Sequence, residues 1–233
     1  MEEIISRKRI IACFGGPSGC GKDEHGDRFA DSFRVNSHCN ILCYDNGSGL
    51  RNIANNIRYT NHMKGILHNS IHVKGETVPG MVTISEIKEF IFKTNTGNES
   101  YIFKGPFRTP HEPDLFVEFT DKFLPRIPRY FVRINISDDV VRERLAKRED
   151  KDGNKRLDDL NKKTIEERIK QYREKTELIY DKISKSSDFI FFDIDGDRNI
   201  LDVQEDIRSE IIATESFRTA KNIFNGESPF CPR

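Results

Sequence analysis

No run in this 233-residue chain approaches the ~18 consecutive apolar residues of a membrane span, so no membrane partner is expected. The first residues, Met1-Glu2-Glu3-Ile4-Ile5-Ser6-Arg7-Lys8, carry acids early and hold no apolar core segment, and do not read as a signal peptide. Net charge is lacking as well: Lys+Arg and Asp+Glu both number 38. A chain of zero net charge offers no broad polyanion-binding surface, which argues against nucleic acid as a partner. Any positive site has to be built locally. Cysteine is scarce and badly matched. Cys13, Cys20, Cys39, Cys43 and Cys231 are odd in number, with no C-x-x-C pair among them. They read as reduced core thiols of a cytoplasmic protein, not as a disulfide framework or a zinc site. Cys39 and Cys43 would share one face of a strand, but no second ligand pair accompanies them. Cys20 is expected to be open enough to react with thiol reagents.

What the chain does have is concentrated early. Gly16-Pro17-Ser18-Gly19-Cys20-Gly21-Lys22 follows the apolar run Ile10-Ile11-Ala12-Cys13-Phe14, which reads as a buried strand. After it comes a polar segment with Phe29, Ala30 and Phe33 at helical spacing. Strand, glycine-rich loop, lysine and helix form the context of a phosphate-binding loop. Glycines let successive N–H groups turn inward, and the helix N-terminus adds positive potential. Lys22 would reach the terminal phosphates. The alternative, an ordinary glycine turn, explains neither the lysine nor its flanks. Asp23 and Glu24 come next. Two carboxylates beside a polyphosphate repel it unless a cation lies between them, which makes both candidate ligands of an atypically held Mg2+.

Five apolar runs, 9–15, 40–44, 101–105, 129–136 and 188–195, read as strands separated by helix-patterned segments. That alternation predicts an α/β fold: a three-layer core with a five-stranded parallel sheet covered on both faces. Residues 85–92 predict a helix with Ile87, Phe90 and Ile91 inward, and 138–148 a helix with an acidic start and a basic end. A long helix over 159–182 would align Ile165, Ile169, Tyr172, Ile179 and Ile183 on one face, and a last helix would span 202–212. The whole is one domain, 1–233. Within it, 46–80 is read as an inserted lobe, 149–155 as a short charged loop, and 214–233 as a C-terminal extension. A monomer is expected.

Arginines recur at loop and helix-end positions: Arg51, Arg108, Arg144, Arg148, Arg156 and Arg168. Moving a phosphoryl group between two phosphates needs several fixed cations that hold donor and acceptor and offset charge in flight. For any single arginine, a surface salt bridge is the commoner explanation. Their order and surroundings carry more weight.

Those surroundings resemble the adenylate kinase family of nucleoside monophosphate kinases over most of residues 9–212. The loop Gly16–Lys22 is close to the family's G-x-P-G-x-G-K-G-T. Gly47-Ser48-Gly49-Leu50-Arg51 is similar to T-G-D-L-L-R, and Val78-Pro79-Gly80-Met81-Val82 to the link leaving the monophosphate lobe. Lys104-Gly105-Pro106-Phe107-Arg108-Thr109 stands against D-G-F-P-R-T. Arg144-Leu145-Ala146-Lys147-Arg148 matches R-x-x-x-R; Arg156-Leu157-Asp158-Asp159, Thr164-Ile165 and Arg168 follow the lid pattern; Asp195-Gly196 matches the late D-G. The resemblance implies a P-loop core, an inserted monophosphate-binding lobe and a short lid without zinc. It implies ATP as donor, bound by Gly16, Pro17, Ser18, Gly19, Cys20, Gly21, Lys22, Asp23, Glu24, Arg144, Arg148 and Gly196. It implies a nucleoside monophosphate as acceptor, bound by Gly47, Arg51, Val82, Gly105, Arg108, Glu112, Arg156 and Arg168. Catalysis would fall to Lys22, Arg108, Arg144, Arg156 and Arg168.

The departures touch chemistry. Asp23 and Glu24 stand where the family has Gly and Thr. Lys104 replaces an aspartate that helps order magnesium and its waters. Pro106-Phe107 inverts the family's Phe-Pro. Glu112 stands where the family has glutamine; a glutamate only accepts and would suit a base presenting two donors, such as guanine, with His111 the candidate if register slips by one. Three readings stay open: an active kinase, a kinase for another small acceptor, and a nucleotide-binding protein with little catalysis.

Overall fold

Each of the five apolar runs forms a strand: β1 Ile11–Gly15, β2 Asn40–Asp45, β3 Glu99–Lys104, β4 Arg129–Asn135 and β5 Ile190–Asp195. The computed structural model describes residues 9–36, 39–55, 79–149, 153 and 162–224. The strands pair in parallel throughout, in the order β2-β3-β1-β4-β5. β1, wholly buried, is central because it is apolar on both faces.

Alternation along β1 sorts its residues between two cores. Ile10, Ala12 and Phe14 enter one, with Ile102, Tyr130, Val132 and Ile134. Ile11 and Cys13 enter the other, with Tyr101, Phe103 and Phe131. Helices cover both faces. On the first lie α1 (Lys22–Asn36) through Phe29, Ala30 and Phe33, α5 (Asp138–Lys147) through Val141 and Leu145, and α6 (Lys162–Gln171) through Ile165 and Ile169. On the second lie α3 (Gly80–Thr94) through Ile84, Ile87 and Ile91, α4 (Glu112–Phe123) through Phe116 and Phe119, and α7 (Glu177–Ser184) through Ile179, Tyr180 and Ile183. α2 (Asn46–Asn55) follows β2 directly, its first turn capped by Asp45, whose Oδ1 accepts from the N–H of Gly47 at 2.8 Å and of Ser48 at 3.2 Å. α8 (Ile200–Phe224) buries Val203, Ile207 and Ile211.

α4 fills the stretch between β3 and β4, for which the sequence reading gave no bounds; Pro113 occupies its first turn, where a missing N–H costs nothing. Three features differ from the sequence reading. The long helix contains a π-helical turn, Tyr172–Thr176, between α6 and α7. The residues expected on its apolar face are all buried even so. α8 runs past Ile212 through Thr214 to Phe224, so no break in the helix marks the expected extension. Cys20, expected to be reactive, is completely buried, and burial pushes its thiol pKa up. Cys13, Cys39 and Cys43 are free thiols too.

Most of the expected lobe, 56–78, and of the expected lid, 150–152 and 154–155, lies outside the described residues. Among the described residues no helix is long and apolar enough to cross a membrane.

Candidate functional site

β1 sends its chain toward β2 at one edge, whereas its neighbours β3 and β4 send theirs toward the other side of the sheet. Connections that part in this way leave a crevice at the carboxyl ends of the strands, the usual place for ligands in open α/β sheets. The glycine loop lies in that crevice, between β1 and α1. Gly16 opens it with φ +145°, and a Cβ there would stand 2.4 Å from the Ile134 carbonyl oxygen and 2.6 Å from Cys20 Sγ. Only glycine fits. The loop closes with the Cys20 N–H donating to the Pro17 carbonyl at 3.2 Å. α1 then begins, the His25 N–H donating to Gly21 O at 2.9 Å. Behind it His25 is buried, its Nδ1 3.1 Å from Gln204 Oε1; burial lowers its pKa.

The loop lysine and a distant arginine meet over one glycine. A Cβ on Gly105 would lie 3.3 Å from Lys22 Cε and 3.9 Å from Arg108 Nη2. Lys22 Nζ donates to the Pro17 carbonyl at 3.3 Å, holding the side chain along the loop. Gly105 is pinned from two sides: its N–H donates to Phe14 O at 2.8 Å, and its carbonyl accepts from buried Asn46 Nδ2 at 3.0 Å. Phe107 anchors the next turn. It is fully buried and packs on Phe116, Phe131 and Phe189 with ring centroids 5.3, 5.9 and 5.9 Å away. Burial of such a ring contributes about 1.5–3 kcal/mol, enough to fix where Arg108 starts. Tyr180 donates to Phe107 O at 3.3 Å from beneath.

On the other flank of β1, Arg144 ties two loops together. Its Nη2 donates to Gly196 O at 2.9 Å and its Nη1 to Gly19 O at 3.5 Å. Arg148 Nη2 lies 3.8 Å from Asp23 Oδ2. The described structure thus gathers Gly16–Lys22, Asp23, Gly105, Arg108, Arg144, Arg148 and Gly196 around the carboxyl end of β1. Gly47 stands in the first turn of α2, just beyond β2, with β3 between that strand and β1. Val82 and Arg168 are half-buried on α3 and α6. Arg51 lies on α2 with its side chain outside the described set, and Arg156 is outside the described residues.

Glu112 proves to be wholly buried, turned back on its own loop. Its Oε2 accepts from the backbone N–H groups of Arg108 and, at 2.7 Å, Thr109, while Oε1 makes no hydrogen bond among the described residues. Burial raises its pKa, against those N–H groups. One carboxylate oxygen is therefore committed to shaping the Arg108 turn, so the carboxylate cannot present both acceptors to a base. His111 is exposed at the start of α4.

Asp23 and Glu24 do not fit a magnesium held by the protein's own carboxylates. Glu24 Oε1 accepts from Arg28 Nε at 2.7 Å on the open face of α1, and Asp23 faces Arg148. Among the described residues no group of three or more His, Cys, Asp or Glu is placed to hold a metal ion. Lys104 brings a cation instead. It is 8% exposed, and its Nζ donates to both oxygens of Asp27, at 2.7 and 2.9 Å.

Sequence reasoning passed over Asp45, Asn46 and the Asp27–Lys104 pair. Asp45 had a local signal, an acid three residues before Ser48 at a helix start. Asp27 and Lys104 are 77 positions apart and had none. No protein-family model matches the chain, and no curated protein matches it.

Proposed function

We propose that this chain is a P-loop phosphotransferase of the nucleoside monophosphate kinase kind, moving the γ-phosphoryl of ATP to a nucleoside monophosphate. The convergence of Lys22 and Arg108 over Gly105 carries this reading. It brings two cationic side chains, from positions far apart in sequence, to the same glycine beside a glycine loop and a helix N-terminus. A group in transit between two phosphates needs such a place.

In this reading the N–H groups of Ser18–Lys22 cradle the donor phosphates and Lys22 follows the transferring group. Arg51 and Arg108 hold the acceptor phosphate. An acceptor oxygen attacks the γ-phosphorus as the bond to the β-phosphate bridging oxygen breaks, and ADP leaves with that oxygen. No general base is needed, since the acceptor phosphate is already ionised. Arg144, Arg148, Arg156 and Arg168 offset charge as the short lid over 149–155 closes and water leaves. The chain's own carboxylates hold no metal in this scheme, and no step is assigned to one.

A second reading, a nucleotide-binding protein with little catalysis, draws support from the Asp27–Lys104 pair, which puts an ammonium where the related kinases place a magnesium-ordering acid. One experiment separates the two. ADP formation is measured from ATP, with and without magnesium, against AMP, CMP, UMP, GMP and their deoxy forms, with Lys22→Ala as control. Turnover on an acceptor that disappears in Lys22→Ala supports the kinase. ATP binding with no turnover on any acceptor would replace it with the binding protein.

A further inference from the structure

Lys104 closes β3 and lies in register with Phe14 of β1 and Asp45 of β2, so it stands at the crevice end of the sheet. Its side chain runs under α1. Asp23 and Asp27 are one helical turn apart on α1 and present the same face. The ammonium binds both oxygens of Asp27, and the charges of Asp45 and Asp23 also act on it. Gly26 makes the room: a Cβ there would stand 3.0 Å from Lys104 Cγ and Cδ. Burial alone would lower the Lys104 pKa, but the Asp27 hydrogen bond and the surrounding carboxylates override it and raise the value, so the side chain stays charged.

This arrangement has an electrostatic consequence for the first turn of α1. Asp23, which faces Arg148, together with Asp27 and Asp45 brings negative charge beside the loop where the proposed function places a polyphosphate. An uncompensated cluster would need a divalent ion to admit a polyanion. Lys104 supplies a fixed positive charge at that point, covalently and without metal. We propose that Lys104, seated on Asp27 in the space left by Gly26, is a built-in cation of the nucleotide site, so that the protein takes metal-free nucleoside triphosphate as readily as its magnesium complex. The inference rests on the reading of the glycine loop as a triphosphate site, which both functional readings share.

Calorimetric titration with ATP tests it, in EDTA and in excess Mg2+, at about pH 8, where a terminal phosphate is fully ionised. For the wild type, MgATP should bind no more than about threefold tighter than free ATP, a difference of less than about 0.7 kcal/mol. Lys104→Met keeps the apolar stem and takes the ammonium away from Asp27. Its preference for MgATP should rise at least about tenfold, the binding equivalent of ~1.4 kcal/mol. Asp27→Asn retains the ammonium and removes its counter-charge, so its preference should move toward free ATP, and it guards against a folding defect in the first variant. A wild type that binds MgATP more than about threefold tighter overturns the proposal, as does Lys104→Met with an unchanged preference. Absence of ATP binding in both conditions overturns the triphosphate reading itself, and this inference with it.

Discussion

Gly16→Ala tests whether the loop geometry is required or incidental, and Gly97→Ala supplies its control. Both glycines have positive φ, +145° at Gly16 and +104° at Gly97. A methyl group strains the backbone at either position, at a cost of about 1–3 kcal/mol. They differ in surroundings. A Cβ at Gly97 meets nothing within 4 Å, whereas at Gly16 it overlaps the Ile134 carbonyl at 2.4 Å and Cys20 Sγ at 2.6 Å. The carbonyl belongs to β4 and the sulfur is fully buried, so neither can give way cheaply. Overpacking of this kind adds about 1–3 kcal/mol. Gly16→Ala should therefore lose about 2 kcal/mol more than Gly97→Ala. In a chain of this size that corresponds to a melting point roughly 4–8 °C lower. Urea denaturation followed by far-UV circular dichroism reads the difference directly, provided the slopes with denaturant agree. ATP binding should vanish in Gly16→Ala and survive in Gly97→Ala. If the two variants lie within about 0.5 kcal/mol of each other, Gly16 is an ordinary turn residue and the steric argument fails.

Arg108→Ala should lower phosphoryl transfer by roughly 10²–10³-fold with the melting temperature unchanged, and wild-type turnover in this variant would remove Arg108 from the site. The Glu99 carboxylate accepts from the N–H groups of Thr96, Gly97 and Asn98 at 2.8, 3.0 and 3.1 Å. Burial alone would raise its pKa, but these bonds and the Thr96 hydroxyl outweigh burial and lower it. Its stabilisation is present above the ordinary carboxylate range and is lost as pH falls through the depressed value. Glu99→Gln should thus cost about 1–3 kcal/mol at neutral pH, with the gap to wild type closing in acid; a gap that widens in acid contradicts the assignment. Glu112 has the opposite sign. Its pKa is raised, mainly by burial, so its stabilisation is complete below the unfolded-state value and is lost as pH rises through the folded one. The stability of Glu112→Gln relative to wild type should therefore climb with pH in a denaturation series, and a fall would refute the buried-charge argument.

Local pattern was enough for the sheet and its two cores. Apolar runs bounded by Gly, Pro and charged residues mark strands, and period-two alternation sorts Ile11 and Cys13 from Ala12 and Phe14. The loop 16–22 and the arginines were legible for the same reason: glycine, lysine and arginine carry their chemistry in residue type and order. The bounds of helix α4 were not legible, because the place of Pro113 in its first turn shows only once the helix is built. The burial of Cys20 was hidden as well, since it depends on how the loop folds onto β4.

The sequence by itself determined a parallel α/β core, a glycine loop with its lysine at the head of a helix, and a set of arginines in a particular order. Each follows from short-range periodicity or from the chemistry of a single residue. Only the tertiary structure decided that Arg108 meets Lys22 over Gly105, that Arg144 joins the loops of Gly19 and Gly196, and that Glu112 turns inward to shape its own turn. It also decided that Lys104 finds Asp27 across 77 positions. Contacts of that range are set by strand order and by the packing of aromatic anchors such as Phe107. Those depend on the whole chain closing around one sheet, and no local pattern records them.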